Sequence, residues 1–463
     1  MTEQRSPTPY SFILPDATGR RLLLVRERAG WALPRVEYAG GWFAEDVGAL
    51  ARLARGRLGA EVSVLRHLVD DEHQVGELEN HNPTWTPPPG ARWVDGEALA
   101  GLSLAFAEHR ATMERWLAEA TSGHVHPLRA PWERPGWRAA ARAWIEEQAE
   151  RLGAPLAGPI EQRKAAWGGS SILRAPAAGG DLWFKAVYHR PPSEPAVICL
   201  LAERWPANVP RILAADHGRR WMLMADFGDG TIEGRPPQVW DAAVRLFGRI
   251  QRETAGEIDR WLALGCADRR PAMLPAELRA LLADRDALLG VERGMEVDDI
   301  ARMESLLPRV EVLCAELDDC HIPPAMVQQD FRHANLVATG DTFCYFDWAD
   351  TVVAHPFMSG NRFLDYLAPP EGVDRHDWRL AHPDDKERRR LRDAYLEAWA
   401  DDAPPERLHH AFTLTRRLNP LFQATRWHAE RAYIEPGAPW ARELALAPSP
   451  YLKGFFTDLA RDA

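Results

Sequence analysis

The second half of the chain reads as helix almost throughout, and one loop-rich stretch, residues 326–351, interrupts it. Apolar residues recur at helical spacing on both sides of this stretch, whereas short strand and turn signals cluster inside it. The preceding stretch, from Trp137 to Gly230, opens with a helix and then carries strand patterns. This order predicts an α+β fold in which a β-rich lobe is followed by a helical lobe.

A chain of 463 residues is too long for one ordinary hydrophobic core, so we expect several domains. Residues 1–120 have the mixed strand and helix signals of a small α/β domain. Residues 121–135 are rich in Pro and His, with little periodicity, and are predicted to be a linker. The β-rich lobe then covers residues 136–230 and the helical lobe residues 231–463.

Composition limits the compartment and the partners of the chain. With a net charge of -11, the chain has no general electrostatic attraction for nucleic acid. An acidic surface is compatible with a cationic small partner. There is no apolar run of about 18 residues and no export signal, so we expect a cytoplasmic protein without a membrane segment. The five cysteines are odd in number and scattered, which fits a reducing cytosol. The sequence sets no oligomeric state.

The loop-rich stretch contains three oxygen-bearing side chains at an informative spacing. Asp330 and Asn335 form an Asp-x-x-x-x-Asn string, and the short apolar run 343–346 leads directly to Asp347. Such a loop can direct one carboxylate toward an incoming hydroxyl and turn an amide oxygen back toward a metal ion. Asp and Asn also favour ordinary turns, so each residue alone is uninformative, and the indication comes from the combination.

This string resembles the catalytic and metal-binding motifs of the aminoglycoside phosphotransferase and choline kinase family. The resemblance implies a bilobal protein-kinase-like fold, ATP or GTP as phosphoryl donor, Mg²⁺, and a small-molecule hydroxyl as acceptor. Carried over, Asp330 would be the catalytic base, and Asn335 and Asp347 the Mg²⁺ ligands. The chain departs from the family at Gln328, where His is usual, and at Gln329, where Gly is usual.

A kinase-like β-lobe should also supply a lysine for the nucleotide phosphates and a carboxylate that orients it. Lys185 lies in the middle of the apolar segment 181–188, where a charge is costly unless it meets an anion. Only four residues of the chain are lysine, which suggests that a compact point charge is needed here. The predicted partner is Glu194, with Glu203 as the fallback. The alternative is an edge-strand lysine that reaches solvent.

The turn before this lysine strand is the second candidate for nucleotide contact. Gly168 and Gly169 would let backbone amides approach phosphate oxygens, and Ser170 and Ser171 could add hydroxyl donors. Met224, in the later apolar strand, would lie at the hinge that contacts the base. An ordinary two-glycine hairpin and an ordinary buried strand would give the same sequence.

In the N-terminal domain, the string Trp31-Ala32-Leu33-Pro34, the pair Gly40-Gly41 and a helix that ends at Leu58-Gly59 resemble the motif of a Nudix hydrolase. A helical pattern covers residues 45–58 and ends before Gly59, but Leu53, Gly56 and Arg57 stand where three metal-binding glutamates belong. We therefore expect a Nudix-like scaffold without hydrolase chemistry, serving as an interaction or substrate-sensing module.

Two further readings of the whole chain stay open. The Gln328–Gln329 departure is compatible with a pseudokinase that binds nucleotide, or regulates, without phosphoryl transfer. A Nudix-type pyrophosphohydrolase is disfavoured by the missing glutamates. The acceptor is not named by any portable motif, so aminoglycosides, choline-like amines, amino alcohols and sugars all fit the resemblance.

Overall fold

The computed structural model describes residues 7–40, 46–69, 74–166, 169–188, 190–228, 230–289, 294–365 and 386–461. The chain divides into two compact units. The first consists of Met1–Tyr188 with Tyr433–Glu443, and the second of His189–Ala432 with Leu444–Ala463. The α+β composition expected from the sequence is confirmed, since the first unit is rich in strands and the second in helices.

Ten strands and four helices make up the chain-contiguous part of the first unit that the structure describes. They are β1 (Thr8–Ile13), β2 (Leu22–Glu27), β3 (Gly30–Ala32), β4 (Arg35–Tyr38), α1 (Val47–Leu58), β5 (Val62–Val69), β6 (Gln74–Asn80), β7 (Ala91–Val94), α2 (Gly96–Ala100), α3 (His109–Ser122), α4 (Trp137–Arg151), β8 (Glu161–Ala166), β9 (Ser170–Ala175) and β10 (Leu182–Val187).

The N-terminal part of this unit has two sheets, of strand order β4-β1-β6-β5 and β3-β2-β7. The β1–β6 pair is parallel and its neighbours are antiparallel. Helix α1 packs its Val47, Leu50 and Ala54 on the first sheet. It begins at Asp46, whose carboxylate accepts from the Ala49 amide (3.1 Å), and ends at Gly59 with φ of 63°. Glu45 of the predicted helix lies outside the described residues.

The segment predicted as a linker is packed rather than extended. Helix α3 continues to Ser122, and a short 3₁₀ turn covers Pro131–Glu133. Trp132 and Glu133 are buried there. Apolar burial of this kind ties residues 121–135 to the rest of the first unit, which their Pro-rich composition did not indicate.

Strands β8, β9 and β10 pair antiparallel in sequence order, with Lys185 opposite Ile172. Strand β8 is also held by the N-terminal sheets. The Gln162 side chain accepts from the Val64 amide (3.0 Å) and donates to the Val64 carbonyl (2.7 Å). An amide side chain thus satisfies both backbone groups of one β5 residue, which fixes β8 beside β5.

The second unit begins with a helix and a hairpin and is helical for most of its length. Its elements are α5 (Glu194–Ala202), β11 (Ile212–Asp216), β12 (Trp221–Ala225), α6 (Pro237–Thr254), α7 (Ile258–Ala263), β13 (Ala267–Asp268), α8 (Leu274–Ala283), α9 (Arg285–Leu288), α10 (Val297–Ser305), α11 (Leu307–Asp318), β14 (Ala325–Gln328), β15 (Leu336–Thr339), β16 (Thr342–Tyr345), β17 (Thr351–Ala354), α12 (Phe357–Leu364), α13 (Lys386–Leu396), α14 (Pro405–Glu430), α15 (Pro439–Leu446), whose first residues belong to the first unit, and α16 (Pro448–Arg461).

The sequence predicted a largely helical chain after Gly230 apart from residues 326–351, and two short strands that it did not predict extend beyond that stretch. β13 and β17 join β14 in a three-stranded sheet of order β13-β17-β14. β13 has only two residues and exists because β17 pairs with it, so its local sequence carries no strand signal. β15 and β16 form a separate hairpin. Within the described residues, no helix has the length and apolarity needed to cross a membrane.

Candidate active site

The loop after β14 is anchored by an aromatic residue beside Asp330. Phe331 is fully buried, stacks on Phe247 with ring centroids 3.7 Å apart and lies 4.8 Å from the ring of Phe363. Because Phe331 is held in the core, the preceding side chain is held at its edge. The Asp330 carboxylate keeps 16% of its surface exposed, which suits a group that must meet a ligand.

Asn335 is bonded to the same loop through its amide group. Its Nδ2 donates to the Asp330 carbonyl (2.9 Å) and to Asp330 Oδ2 (3.3 Å). Its backbone amide donates to the Arg332 carbonyl (2.9 Å). These bonds orient the side-chain amide, and Oδ1 accepts no hydrogen bond from any described residue. That oxygen is available to a ligand or a cation.

Asp347 follows the β15–β16 hairpin in a left-handed backbone conformation, with φ of 64°. Aspartate is among the few residues that tolerate this region, because its short side chain can bond locally. The Phe346 amide next to it donates to the Asn335 carbonyl (3.0 Å). Asn335 and the Asp347 segment are therefore parts of one hydrogen-bonded assembly.

The two glutamines that depart from the family string build this assembly. Gln328 is fully buried, and its Nε2 donates to the carbonyls of Phe346 (2.8 Å) and Asp347 (2.9 Å). Gln329 donates through Nε2 to the Asp350 carbonyl (3.2 Å) and accepts from Arg269. Both side chains therefore hold the segment that presents Asp347, which is a structural use for residues that the sequence alone left unexplained.

Glu194, which was predicted to orient the lysine, contacts the segment that contains Asp347. It is 1% exposed at the start of α5, and its Oε1 accepts from the Trp348 amide (3.0 Å). Glu194 thus fixes the residue immediately after Asp347. The fallback, Glu203, lies on the surface in an ion pair with Arg260 (2.7 Å), so it is not part of the site.

The remaining predicted nucleotide-binding residues lie in two places. In the first unit, Lys185 is 7% exposed in the middle of β10. Ser170 and Ser171 are the first residues of β9 rather than turn residues, and Gly169 precedes them. Gly168 lies outside the described residues.

Met224, in the second unit, is buried in β12 opposite Ile212. Two residues after this strand ends, the ring of Phe227 contacts that of Phe346 at a centroid distance of 5.5 Å. The predicted hinge therefore runs close to the residue that precedes Asp347.

Two arginines at the site were not predicted. Arg332 Nε lies 3.1 Å from Asp330 Oδ2, and the Arg362 guanidinium lies 3.3 Å from Asp330 Oδ1. Arg362 is 4% exposed on α12 and also donates to the Tyr451 hydroxyl (3.4 Å). A signal existed for Arg362, since it precedes the apolar pair Phe363–Leu364 and a charged residue that is buried with such side chains requires a partner. That the partner is Asp330 depends on helix packing.

The oxygen donors fit a magnesium ion that is also bound by phosphate. Among the described residues, no group of three or more His, Cys, Asp or Glu side chains could hold a metal by itself. Mg²⁺ is usually held by one or two protein ligands together with substrate phosphates and water. The Asp347 carboxylate and the Asn335 Oδ1 are oxygen donors of the type that such a site uses.

Comparisons with known proteins give structural similarity only. No family model and no curated protein matches the sequence. Similar solved structures include a choline/ethanolamine kinase family protein from Mesorhizobium loti (15% identity, 69% of this chain and 99% of that chain, TM-score 0.41). Others are choline kinases from Streptococcus pneumoniae (11%, 69% and 99%, 0.44) and Cryptosporidium parvum Iowa II (11%, 71% and 93%, 0.46). TM-scores below 0.5 at such identities do not establish a shared activity.

Proposed function

We propose that this chain is a phosphotransferase that moves the γ-phosphoryl group of ATP, or GTP, to a hydroxyl of a small molecule. One observation supports this most directly: Asp330, Asn335 and Asp347 belong to a single hydrogen-bonded assembly in the second unit. Phosphoryl transfer asks a protein chiefly for positioning and charge stabilisation, and these three side chains have the types and order that such a site uses.

Each residue has a separate task in this proposal. Asp330 accepts a hydrogen bond from the acceptor hydroxyl and orients its oxygen for attack. Asn335 and Asp347 would hold Mg²⁺, which when bound neutralises charge on the phosphates. Arg332 and Arg362 hold the two oxygens of Asp330 in place.

The nucleotide would be bound by groups from the β-rich lobe. Lys185 would pair with phosphates, the backbone of Gly168 and Gly169 with the serines Ser170 and Ser171 would line the phosphates, and the backbone near Met224 would contact the base. Glu194 would orient Lys185. Its bond to the Trp348 amide supports a second role, that of positioning Asp347. The support for the lysine role is the place of Lys185 in the middle of β10, where it is 7% exposed.

Replacing Asp347 tests this function. Asp347→Ala removes a proposed metal ligand, and we expect loss of Mg²⁺-dependent ATP turnover by at least 100-fold, as for other groups that stabilise developing charge. Turnover should be measured in the full chain against a panel of hydroxyl acceptors. Asp341→Asn is the matched control, because Asp341 is an exposed residue in the β15–β16 turn. Undiminished turnover in the Asp347 variant would refute the assignment.

A nucleotide-binding pseudokinase is the second candidate, and the ion pairs at Asp330 favour it. A carboxylate held by two guanidinium groups is a weaker hydrogen-bond acceptor for a substrate hydroxyl than a free one. This candidate predicts Mg·ATP binding in the wild-type chain with no phosphorylated product from any acceptor. Detection of one such product by mass spectrometry would eliminate it.

The domain division and the setting of the protein belong to the same proposal. We propose a Nudix-like, non-hydrolytic N-terminal domain in residues 1–120, the kinase-like lobes in 136–230 and 231–463, and a cytoplasmic protein without nucleic-acid partners. The acceptor is a small hydroxyl compound, for which the net charge of -11 favours a cation.

A further inference from the structure

A cavity of about 800 Å³ is lined by residues of the first unit, none of which is assigned to phosphoryl transfer. Strands β5 and β6, helix α3 and the packed segment 123–135 contribute to its wall. Three tryptophans line it, and two of them, Trp85 and Trp93, meet edge to face with centroids 6.3 Å apart. The third is Trp116. This volume is enough for a small organic molecule, and the tryptophans add aromatic surface to the wall.

The positive charges of the cavity wall are already paired with protein groups. Arg66 binds Glu77 and Glu119, the latter at 3.0 Å. Arg129 binds Glu119 at 2.9 Å and Glu435, which belongs to the same unit, at 2.7 Å. The other two arginines of the wall are bonded too, Arg21 to Asp16 and Arg134 to backbone carbonyls. An anionic ligand would have to break one of these interactions.

The negative charges are not all paired. Glu133 lines the cavity and is 4% exposed, and its carboxyl makes no hydrogen bond or ion pair with any described residue. Glu79 accepts from the Gly136 amide through Oε1 (2.6 Å), but its buried Oε2 receives no hydrogen bond from the described part of the chain. His81 Nε2 is 4.0 Å from that oxygen. Burial lowers the pKa of His81 to about 4, so it is neutral near pH 7.

We propose that this cavity binds an organic cation: a primary ammonium on an aromatic body, held by the carboxyls of Glu133 and Glu79 and packed on the tryptophans. A buried carboxyl oxygen that receives no hydrogen bond is costly, and an ammonium that supplies N–H donors to it removes that cost. Tryptophan faces add cation–π attraction. A metal ion fits less well, because no metal-holding cluster exists among the residues that the structure describes. The site does not depend on the proposed phosphotransferase activity.

Isothermal titration calorimetry on the full chain at pH 8 tests the site with defined probes. Tryptamine, 2-phenylethylamine and benzylamine carry the proposed groups, and tryptophol, 2-phenylethanol and benzyl alcohol are their neutral counterparts. We expect at least one amine to bind at least tenfold more tightly than its alcohol. Glu133→Gln should weaken that amine at least tenfold and leave the alcohol unchanged, whereas Glu114→Gln, a change at an exposed residue of α3, should alter neither.

Four outcomes would overturn the proposal: no binding of any amine, equal binding of amine and alcohol, tighter binding of the anion indole-3-propionate, or full binding in Glu133→Gln. If Glu133→Gln does not fold, Glu79→Gln serves in its place with the same expectation. Asp330→Asn should bind the amine as the wild type does. This separates a failure of the cavity from a failure of the phosphotransferase proposal.

Discussion

Glu133 combines deep burial with a carboxyl that has no partner among the described residues, and this combination costs stability in the ligand-free protein. Burial raises its pKa from 4.5 to about 7, while nearby Arg129 lowers it. Between pH 4.5 and about pH 7, Glu133 keeps its proton in the folded protein but has lost it in the unfolded protein. Stability therefore falls as the pH rises through this window, by about 3 kcal/mol in total.

The change Glu133→Gln removes the ionisation and should remove this penalty. We expect the variant to match the wild type near pH 4.5 and to exceed its free energy of unfolding by up to about 3 kcal/mol at pH 8. Urea unfolding of both proteins at the two pH values measures this difference. A pH-independent difference would mean that Glu133 is not buried as an acid of raised pKa.

Some residues of the candidate site could be predicted from the sequence, and others could not. The sequence could indicate Asp330, Asn335 and Asp347, because all three lie in one short stretch and their spacing is visible in the sequence. Gln328 could not be interpreted, since its partners are the carbonyls of Phe346 and Asp347 in the segment that follows β16. The role of Arg362 was not predicted for the same reason, because its ion pair with Asp330 forms only through the packing of α12.

Among the elements, helix α1 contains two glycines in opposite surroundings. A Cβ added to Gly48 would lie 2.4 Å from the backbone oxygen of Gln162 in β8, whereas a Cβ on Gly56 would meet nothing within 4 Å. The close approach of α1 to β8 is therefore possible only because residue 48 lacks a side chain.

Alanine at these two positions should have opposite effects. Gly48→Ala should destabilise the protein by about 1–3 kcal/mol, because helix and strand must move apart. Gly56→Ala should stabilise it by about 0.5–1 kcal/mol through helix propensity. Chemical unfolding of the two variants beside the wild type gives both values. Effects of the same sign would show that α1 does not contact β8 as described.

Elements with strong periodicity were the predictable part of the fold. The long amphipathic helices and the apolar strands β10 and β12 were found, because their patterns reflect one buried face. The strands β13 and β17 were missed, because their pairing joins distant parts of the chain and leaves no signal in the local sequence.

At the scale of the whole molecule, the proposed N-terminal domain and the strands β8 to β10, which include Lys185, belong to the same compact unit. The Gln162 side chain of β8 forms hydrogen bonds with both backbone groups of Val64 in β5. Helix α1 packs on β8 as well. A fragment beginning at residue 121 would leave Gln162 and one face of β8 without these contacts.

We expect that fragment, residues 121–463, to unfold about 10 °C or more below the full chain, since several kcal/mol of burial and hydrogen bonding are lost. Differential scanning calorimetry measures both temperatures. Gln162→Leu in the full chain should lower the unfolding temperature by less than removal of residues 1–120 does, because the rest of the N-terminal domain is still present. Equal unfolding temperatures for fragment and full chain would establish the first 120 residues as an independent module.

The scarcity of lysine has a practical consequence for labelling chemistry. Lys164, Lys386 and Lys453 are exposed, and Lys185 alone is buried in a strand. A nucleotide that carries an amine-acylating group would have only four possible targets in the chain, besides the amino terminus. Peptide mapping could then distinguish delivery to a pocket around the buried ammonium from indiscriminate surface reaction, with almost no background to subtract.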